Sequence, residues 1–173
     1  MRAVILAAGE GKRLRPNFNR PKPLVPLLGL ALIERNILTL RECGISEIIV
    51  ITGCYANEIQ DSLGNGEKFG VSIKYLYNPA WKLGNGSSAH TFHQDYRQGE
   101  QFILMMADHV YELDLVKNFL AEAESVKQDE VLLAADGRLD NVYDLEECTK
   151  VKAQGNDALK LGKELPDFNA VDC

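Results

Sequence analysis

RAVILAAGEGKRLRP, residues 2–16, joins a short apolar run to two glycines and then to Lys12, Arg13 and Arg15. Residues 2–8 have the length and near-continuous apolar character of a strand buried on both faces, the pattern of parallel sheets. A parallel neighbour requires a long crossover, usually a helix. ALIERNILTLRECG (31–44) supplies one, with Ile33, Ile37, Leu40 and Cys43 near helical spacing and Gly44 at its end.

The same alternation continues outward from this unit. SEIIVITG (46–53) predicts a second strand, ANEIQDSLG (56–64) a short helix, and VSIKYLYN (71–78) a third strand. SSAHTFHQDY (87–96) predicts a helix, QFILMMAD (101–108) a fourth buried strand, LDLVKNFLAEAES (113–125) a helix and EVLLAAD (130–136) a fifth strand. Strands alternating with helices at this spacing specify an α/β fold: a mostly parallel central sheet covered on both faces. Ligands in such sheets bind beyond the carboxyl ends of the strands, which singles out the loops after residues 7, 53, 78 and 107. After residue 136 the texture changes. CTKVKAQG and DALKLGKEL predict two strands joined at Gly155-Asn156-Asp157, and NAVDC reads as a further strand in which the chain stops, the expectation for a fragment or an unusually short domain.

At 173 residues the chain is expected to form one domain. With 46% apolar and 25% charged residues it has an ordinary globular composition, and no stretch reaches the roughly 18 consecutive apolar residues of a membrane helix. No signal-type cleavage site follows the first apolar run, so a cytoplasmic location is expected. Cys43, Cys54, Cys148 and Cys173 are widely spaced, which suits buried thiols rather than a zinc ribbon or redox pair. The net charge of −6 argues against a nucleic-acid partner. Yet residues 9–23 hold five cations (Lys12, Arg13, Arg15, Arg20, Lys22) against one acid, Glu10. A small anionic ligand fits that asymmetry.

The basic loop is not the dinucleotide fingerprint, because Leu14 stands where a third glycine should open the helix, and no Gly-Lys-Ser/Thr follows to make a Walker loop. What remains is a pair of glycines, Gly9 and Gly11, able to adopt positive φ and bring backbone N–H groups to an oxyanion, with cations following. Lys22 lies between Pro21 and Pro23, which stiffen its backbone. A solvated basic surface loop fits the same residues. Asp108, after an apolar strand, reads equally as a helix N-cap or turn residue, and Asn85, between glycines, as a left-handed turn residue. His90 and His93 are three apart on a predicted helix, but with no third ligand nearby they suit packing or surface roles rather than zinc. His109, next to Asp108, is a further candidate ligand contact.

Taken together, LAAGEGKRLRP (6–16) and PKPLVPLLG (21–29) resemble the paired signature of the nucleotidyltransferase family that makes NDP-sugars and NDP-alcohols, the MobA-like NTP transferase domain. NPAWKLGNGSSA (78–89), MADHVYE (106–112) and ECTKVKAQG (147–155) look most like its CTP:inositol-1-phosphate cytidylyltransferases, some of which are joined to a membrane-bound synthase. The resemblance implies a Rossmann-like three-layer αβα sandwich of the GT-A-like kind. Residues 1–136 would be the nucleotide-binding part and 137–173 an incomplete acceptor-binding part. It also implies transfer of CMP from CTP to inositol 1-phosphate or a similar polyol phosphate, with release of pyrophosphate. Sugar-phosphate or phosphocholine transfer with another triphosphate is the neighbouring alternative, and a non-catalytic triphosphate-binding module the distant one.

By the same resemblance, Arg13 would take the β- and γ-phosphates, Lys22 the α-phosphate, and Asp108 a Mg²⁺ ion. Ala7, Ala8, Gly9 and Gly11 would contact the nucleotide through the backbone. Gly84 and Asn85 would approach the pyrimidine from the other side. Lys150 matches a cation presented to the acceptor phosphate, although an exposed strand lysine is the plain alternative. Ala107 stands where glycine is commoner in the family, a change without cost only at negative φ.

Overall fold

The computed structural model describes residues 1–11 and 20–172. The chain divides into two compact units, residues 1–118 and 119–173.

In the first unit the strands are β1 (Arg2–Ala7), the short β2 (Pro26–Leu27) and β3 (Leu30–Ala31), β4 (Glu47–Thr52), β5 (Ser72–Tyr77) and β6 (Phe102–Met106). Its helices are α1 (Leu32–Glu42), α2 (Ala56–Leu63) and α3 (Asn85–Thr91), with α4 (Leu113–Ala123) beginning before the boundary. The central sheet is entirely parallel, in the order β5-β4-β1-β6. Every residue of β1 is buried, as the continuous apolar run predicts for a strand with helices over both faces. Side chains alternate along it. Val4 and Leu6 join Ile49, Ile51 and Phe92 in one core cluster, against which Ala89 and Leu76 pack. Ala3 and Ile5 face the other way and are fully buried, as are Ile33, Ile37 and Leu40 of α1 and Ile59 of α2.

The chain builds β1, β4 and β5 outward in one direction, then crosses back over β1 to lay down β6. Because such crossovers are right-handed, the reversal puts α1 and α2 on one face and α3 on the other. The strand order therefore switches between β1 and β6, and the loops that follow those two strands diverge there.

The amino end of β1 carries a buried charge. Arg2 is 5% exposed. Its Nη1 donates to Asp95 Oδ2 at 2.5 Å, its Nη2 to the Asp95 carbonyl at 2.8 Å, and its Nε to Glu100 Oε2 at 2.8 Å. A further contact joins Nη2 to Glu100 Oε1, Lys74 also pairs with Asp95, and the guanidinium lies 5.3 Å from the centroid of the Phe92 ring.

The short β2–β3 hairpin lies outside the sequence-based expectations. Its two-residue turn, Leu28-Gly29, has φ of 51° and 87°, the pair of positive values that a type I′ turn requires. The usual Asn-Gly or Asp-Gly signal is absent.

The second unit contains β7 (Ala135–Asp136), β8 (Lys150–Gln154), β9 (Asp157–Gly162) and β10 (Ala170–Asp172) in one antiparallel sheet ordered β7-β10-β8-β9. The β8–β9 pair is the hairpin expected around Gly155-Asn156-Asp157. EVLLAAD is a correction: it adds no fifth strand to the parallel sheet, and only Ala135 and Asp136 pair, antiparallel to β10. An apolar run makes a buried strand only when something covers it, and Val131 is 92% exposed. No helix among the described residues is long and apolar enough to cross a membrane. Cys43, Cys54 and Cys148 are half-buried and form no disulfide.

Candidate functional site

At the carboxyl ends of β1 and β6, where the strand order reverses, a cleft of about 300 Å³ opens. Ala7, Ala8, Gly9, Gly11, Lys22, Asn85 and Asp108 all line it, together with Ser88. Gly84 borders an adjoining recess with Gly9, Gly11 and Trp81. Arg13 lies outside the described residues. Lys150 belongs to the second unit, where it is a buried strand residue rather than an exposed one, its Nζ donating to the Glu146 carbonyl at 2.9 Å.

The parallel register sets the spacing of the two main loops. Leu6 stands opposite Met106, and the Ala107 N–H donates to the Leu6 carbonyl at 3.1 Å. Ala7-Ala8 and Ala107-Asp108 therefore leave the sheet side by side. Ala107 does not have positive φ, so the departure from glycine carries no backbone strain. Asp108 lies in the turn after β6, and α4 begins only at Leu113, so the N-cap alternative does not hold.

Of the two loop glycines only Gly11 has positive φ, 63°. A Cβ there would also stand 3.0 Å from Lys22 Cβ, so this glycine lets the loop pass directly against Lys22. Lys22 opens a 3-10 turn, Lys22–Leu24, between Pro21 and the buried Pro23. Its Nζ donates to Asp108 Oδ2 at 2.6 Å, while Asp108 Oδ1 is 3.0 Å from His109 Nδ1. Burial by itself pushes the Asp108 carboxyl up, but the hydrogen bonds from His109 and Lys22 outweigh it and hold the group well below the usual carboxylate range. Asp108 is thus an ionised carboxylate facing the cleft at neutral pH.

The third wall is the segment after β5. Asn78 is 1% exposed and acts as its knot. Its Oδ1 accepts the Ala80 N–H at 2.9 Å, and its Nδ2 donates to Ser87 Oγ and Ser88 Oγ at 3.0 and 3.1 Å. Asn85 and Gly86 form the first turn of α3, so the left-handed reading of Asn85 is overturned: the chain turns at Gly84 instead, with φ of 94°. His90 and His93 are exposed and stack at 5.9 Å, and among the described residues no group of three or more His, Cys, Asp or Glu could hold a metal.

Gly53, which carries no motif, proves to be a structural requirement. A Cβ there would lie 2.6 Å from the Ala8 carbonyl oxygen and 2.7 Å from Trp81 Cβ. The loops after β1 and β4 and the Trp81 turn meet at this point, and the Cys54 N–H also bonds the Ala8 carbonyl at 3.1 Å. Gly53→Ala is expected to cost about 2 kcal/mol by overpacking, and to disturb the cleft by displacing the Ala8 backbone. Thermal unfolding and amide chemical shifts of the Ala8–Gly11 loop check this, and unchanged values for both would contradict it. Gly53, Trp81, Asn78 and Ser88 were not legible as site residues, since each acts through an approach between segments distant in sequence.

The likenesses to known proteins agree with this architecture. Residues 3–153 match the MobA-like NTP transferase domain. The chain is 34% identical over 172 residues to the bifunctional IPC transferase and DIPP synthase of Rubrobacter xylanophilus, covering 98% of this chain and 36% of that protein. The protein of the same description from Thermococcus kodakarensis shows 34% identity over 172 residues, again with 36% of its length covered. The chain therefore spans about a third of the length of these curated relatives. Among solved structures, the inositol-1-phosphate CTP transferase from T. maritima superposes with a TM-score of 0.80 at 26% identity, over 99% of this chain and 67% of that one. With a family match over residues 3–153 and relatives at 34% identity over 172 residues, the chain belongs to the MobA-like NTP transferase domain family of nucleotidyltransferases.

Proposed function

We propose that the protein transfers CMP from CTP to inositol 1-phosphate or a similar polyol phosphate, releasing pyrophosphate. The observation that carries this reading is the convergence of the Gly9–Gly11 loop, Lys22 and Asp108 on one cleft at the switch point. The likeness to proteins described as IPC transferase and as inositol-1-phosphate CTP transferase supports cytidylyl transfer and this acceptor class.

In the reaction an acceptor phosphate oxygen attacks the α-phosphorus of CTP. One P–O bond forms, the bond bridging the α- and β-phosphates breaks, and pyrophosphate leaves with that electron pair. A phosphate monoester with its second pKa near ~6 is already anionic at neutral pH, so the enzyme needs no general base. The protein's task is alignment and neutralisation of charge. Backbone N–H groups of the Ala8–Gly11 loop receive the phosphates, and Lys22 neutralises the charge that builds on the α-phosphoryl oxygens. Asp108 suits Mg²⁺, which commonly takes one or two carboxylates with phosphate oxygens and water completing its shell. When bound, the ion supplies charge neutralisation at the triphosphate. Asn85 and Gly84 bound the pyrimidine side, and Arg13 is assigned to the outer phosphates. CTP is a cytoplasmic metabolite, and we assign the reaction to that compartment. The relatives' description joins such a transferase to a synthase, which supports fusion or association with an activity of that kind.

A pyrophosphate-release assay crossing the four common triphosphates with inositol 1-phosphate, glucose 1-phosphate and phosphocholine tests the reading. The expected result is Mg²⁺-dependent release with CTP and inositol 1-phosphate. Release only with another pair reassigns the substrates. Triphosphate binding without release from any pair overturns catalysis and leaves a binding module.

A further inference from the structure

Reading Asp108 as the ligand-holding carboxylate raises the question of what fixes its direction, and the answer runs through a residue outside the cleft. The Ala107 N–H points at β1, where it bonds the Leu6 carbonyl. The carbonyl and N–H of a trans peptide point opposite ways, so the Met106 carbonyl faces away from β1, toward the open edge of β6, and in an extended strand its own N–H faces the same side. Both of these edge groups are taken by side chains. The Met106 carbonyl accepts from Asn36 Nδ2 at 3.1 Å, and the Met106 N–H donates to Tyr111 Oη at 3.2 Å.

Tyr111 lies five residues beyond Met106, so its hydroxyl closes the segment containing Asp108 back onto the strand it left. Its ring lies against the imidazole of His109, with centroids 6.0 Å apart and planes inclined by 19°. His109 Nδ1 in turn is 3.0 Å from Asp108 Oδ1, leaving Oδ2 to Lys22. An ionised carboxylate is only an acceptor, so a neutral His109 in this contact must carry its proton on Nδ1.

We propose that Tyr111 is a positioning residue for Asp108: its hydroxyl closes the turn onto β6, and its ring holds His109 so that the Nδ1–H fixes one carboxylate oxygen and leaves the other facing the cleft. The inference rests on the function proposed for Asp108. Outer partners of this kind are worth about 10- to 100-fold in metal affinity or activity.

Two variants separate the parts. Tyr111→Phe removes only the hydroxyl, whereas Tyr111→Leu removes the hydroxyl and the ring. The first readout is the His109 tautomer in ligand-free, ¹⁵N-labelled protein at a pH where the ring is neutral. The Nδ1–H form is expected to dominate in the parent and in Tyr111→Phe, and to become mixed in Tyr111→Leu. The second is Mn²⁺ affinity in the presence of a CTP analogue with a methylene bridge between the α- and β-phosphates, read by electron paramagnetic resonance. It is expected to fall about tenfold in Tyr111→Leu and by a smaller, measurable amount in Tyr111→Phe. A dominant Nε2–H form in the parent overturns the proposal, as does a leucine variant that changes neither readout. If the leucine variant does not fold, unchanged Mn²⁺ affinity in Tyr111→Phe overturns it instead. A parent protein without transferase activity would refute the proposed function while leaving the tautomer readout to decide the link from Tyr111 to Asp108.

Discussion

Lys22→Ala is expected to lower the proposed cytidylyl transfer by about two to three orders of magnitude while leaving the chain folded. Removing one preorganised charged donor from the place where negative charge develops costs on the order of 3 to 4 kcal/mol of barrier. Each 1.4 kcal/mol is about a factor of ten. The effect on stability should be small, because the Lys22 ammonium is half-exposed and Asp108 keeps its contact with His109. Lys22→Arg is not expected to restore the rate: a planar fork on a longer stem cannot occupy the position of a compact ammonium that reaches Asp108 from a proline-bounded turn. Loss of Lys22 also removes one of the two hydrogen bonds that oppose burial at Asp108, so that carboxyl should titrate at higher pH than in the parent. Single-turnover pyrophosphate release and carboxyl ¹³C shifts measure the two consequences. A folded Lys22→Ala protein with the parent's rate would refute the assignment of Lys22.

The second large effect lies at the other end of β1. Arg2→Leu is expected to destabilise the fold by about 3 kcal/mol, because removing one member of a buried ionic cluster leaves its partners desolvated without compensation. Asp95 retains Lys74, and Glu100 retains the Arg97 N–H at 2.7 Å, which keeps the loss at the lower end of the range for such removals. For a chain of this length the melting temperature should fall by about 9 °C. The pH dependence has a definite sign. The Asp95 carboxyl is lowered chiefly by its hydrogen bond from Lys74, and the Glu100 carboxyl chiefly by that from Arg2. With unfolded values near ~3.9 and ~4.3, their contribution is fully present above about pH 5 and is lost as pH falls through the depressed folded values. Arg2 is raised, chiefly by its hydrogen bond from the guanidinium to Glu100, and stays charged throughout, adding no slope of its own. The stability gap between parent and Arg2→Leu should therefore hold from pH 7 to about pH 5 and narrow progressively as pH falls further, in denaturant titrations run down to about pH 3. A gap that stays constant over the whole titration would show that the two carboxylates are not what Arg2 stabilises.

Much of the first unit was legible because its physics is local. A strand buried on both faces must be apolar throughout, as residues 2–7 are, and a helix covering it must repeat its apolar residues at helical spacing, as Ile33, Ile37 and Leu40 do. EVLLAAD shows the limit of this reasoning, since apolar character permits burial but does not supply the neighbour that would provide it. The Leu28-Gly29 turn was illegible for a different reason: leucine at φ 51° contradicts its own preference, and only the pairing of β2 with β3 imposes it. In the cleft, Gly9, Gly11 and Lys22 stood out as one basic, glycine-containing stretch, whereas Asp108, far away in sequence, was legible only through the family resemblance. Gly53 and Tyr111 could not, because their importance lies in what comes near them: a carbonyl 2.6 Å from an absent Cβ, and a strand-edge N–H five residues upstream.

The pairing of Leu6 with Met106 means that the two halves of the cleft share one origin. Deleting a single residue from β6, well away from any ligand, would draw Asp108 about 3.3 Å along the strand and turn its side chain to the opposite face of the sheet. Lys22 and the Ala8–Gly11 loop would then close on a space with no carboxylate in it. Counting along β1 and β6 is thus as much a part of the active chemistry as any side chain, and indels in these strands should be tolerated less than most substitutions among the residues that line the cleft.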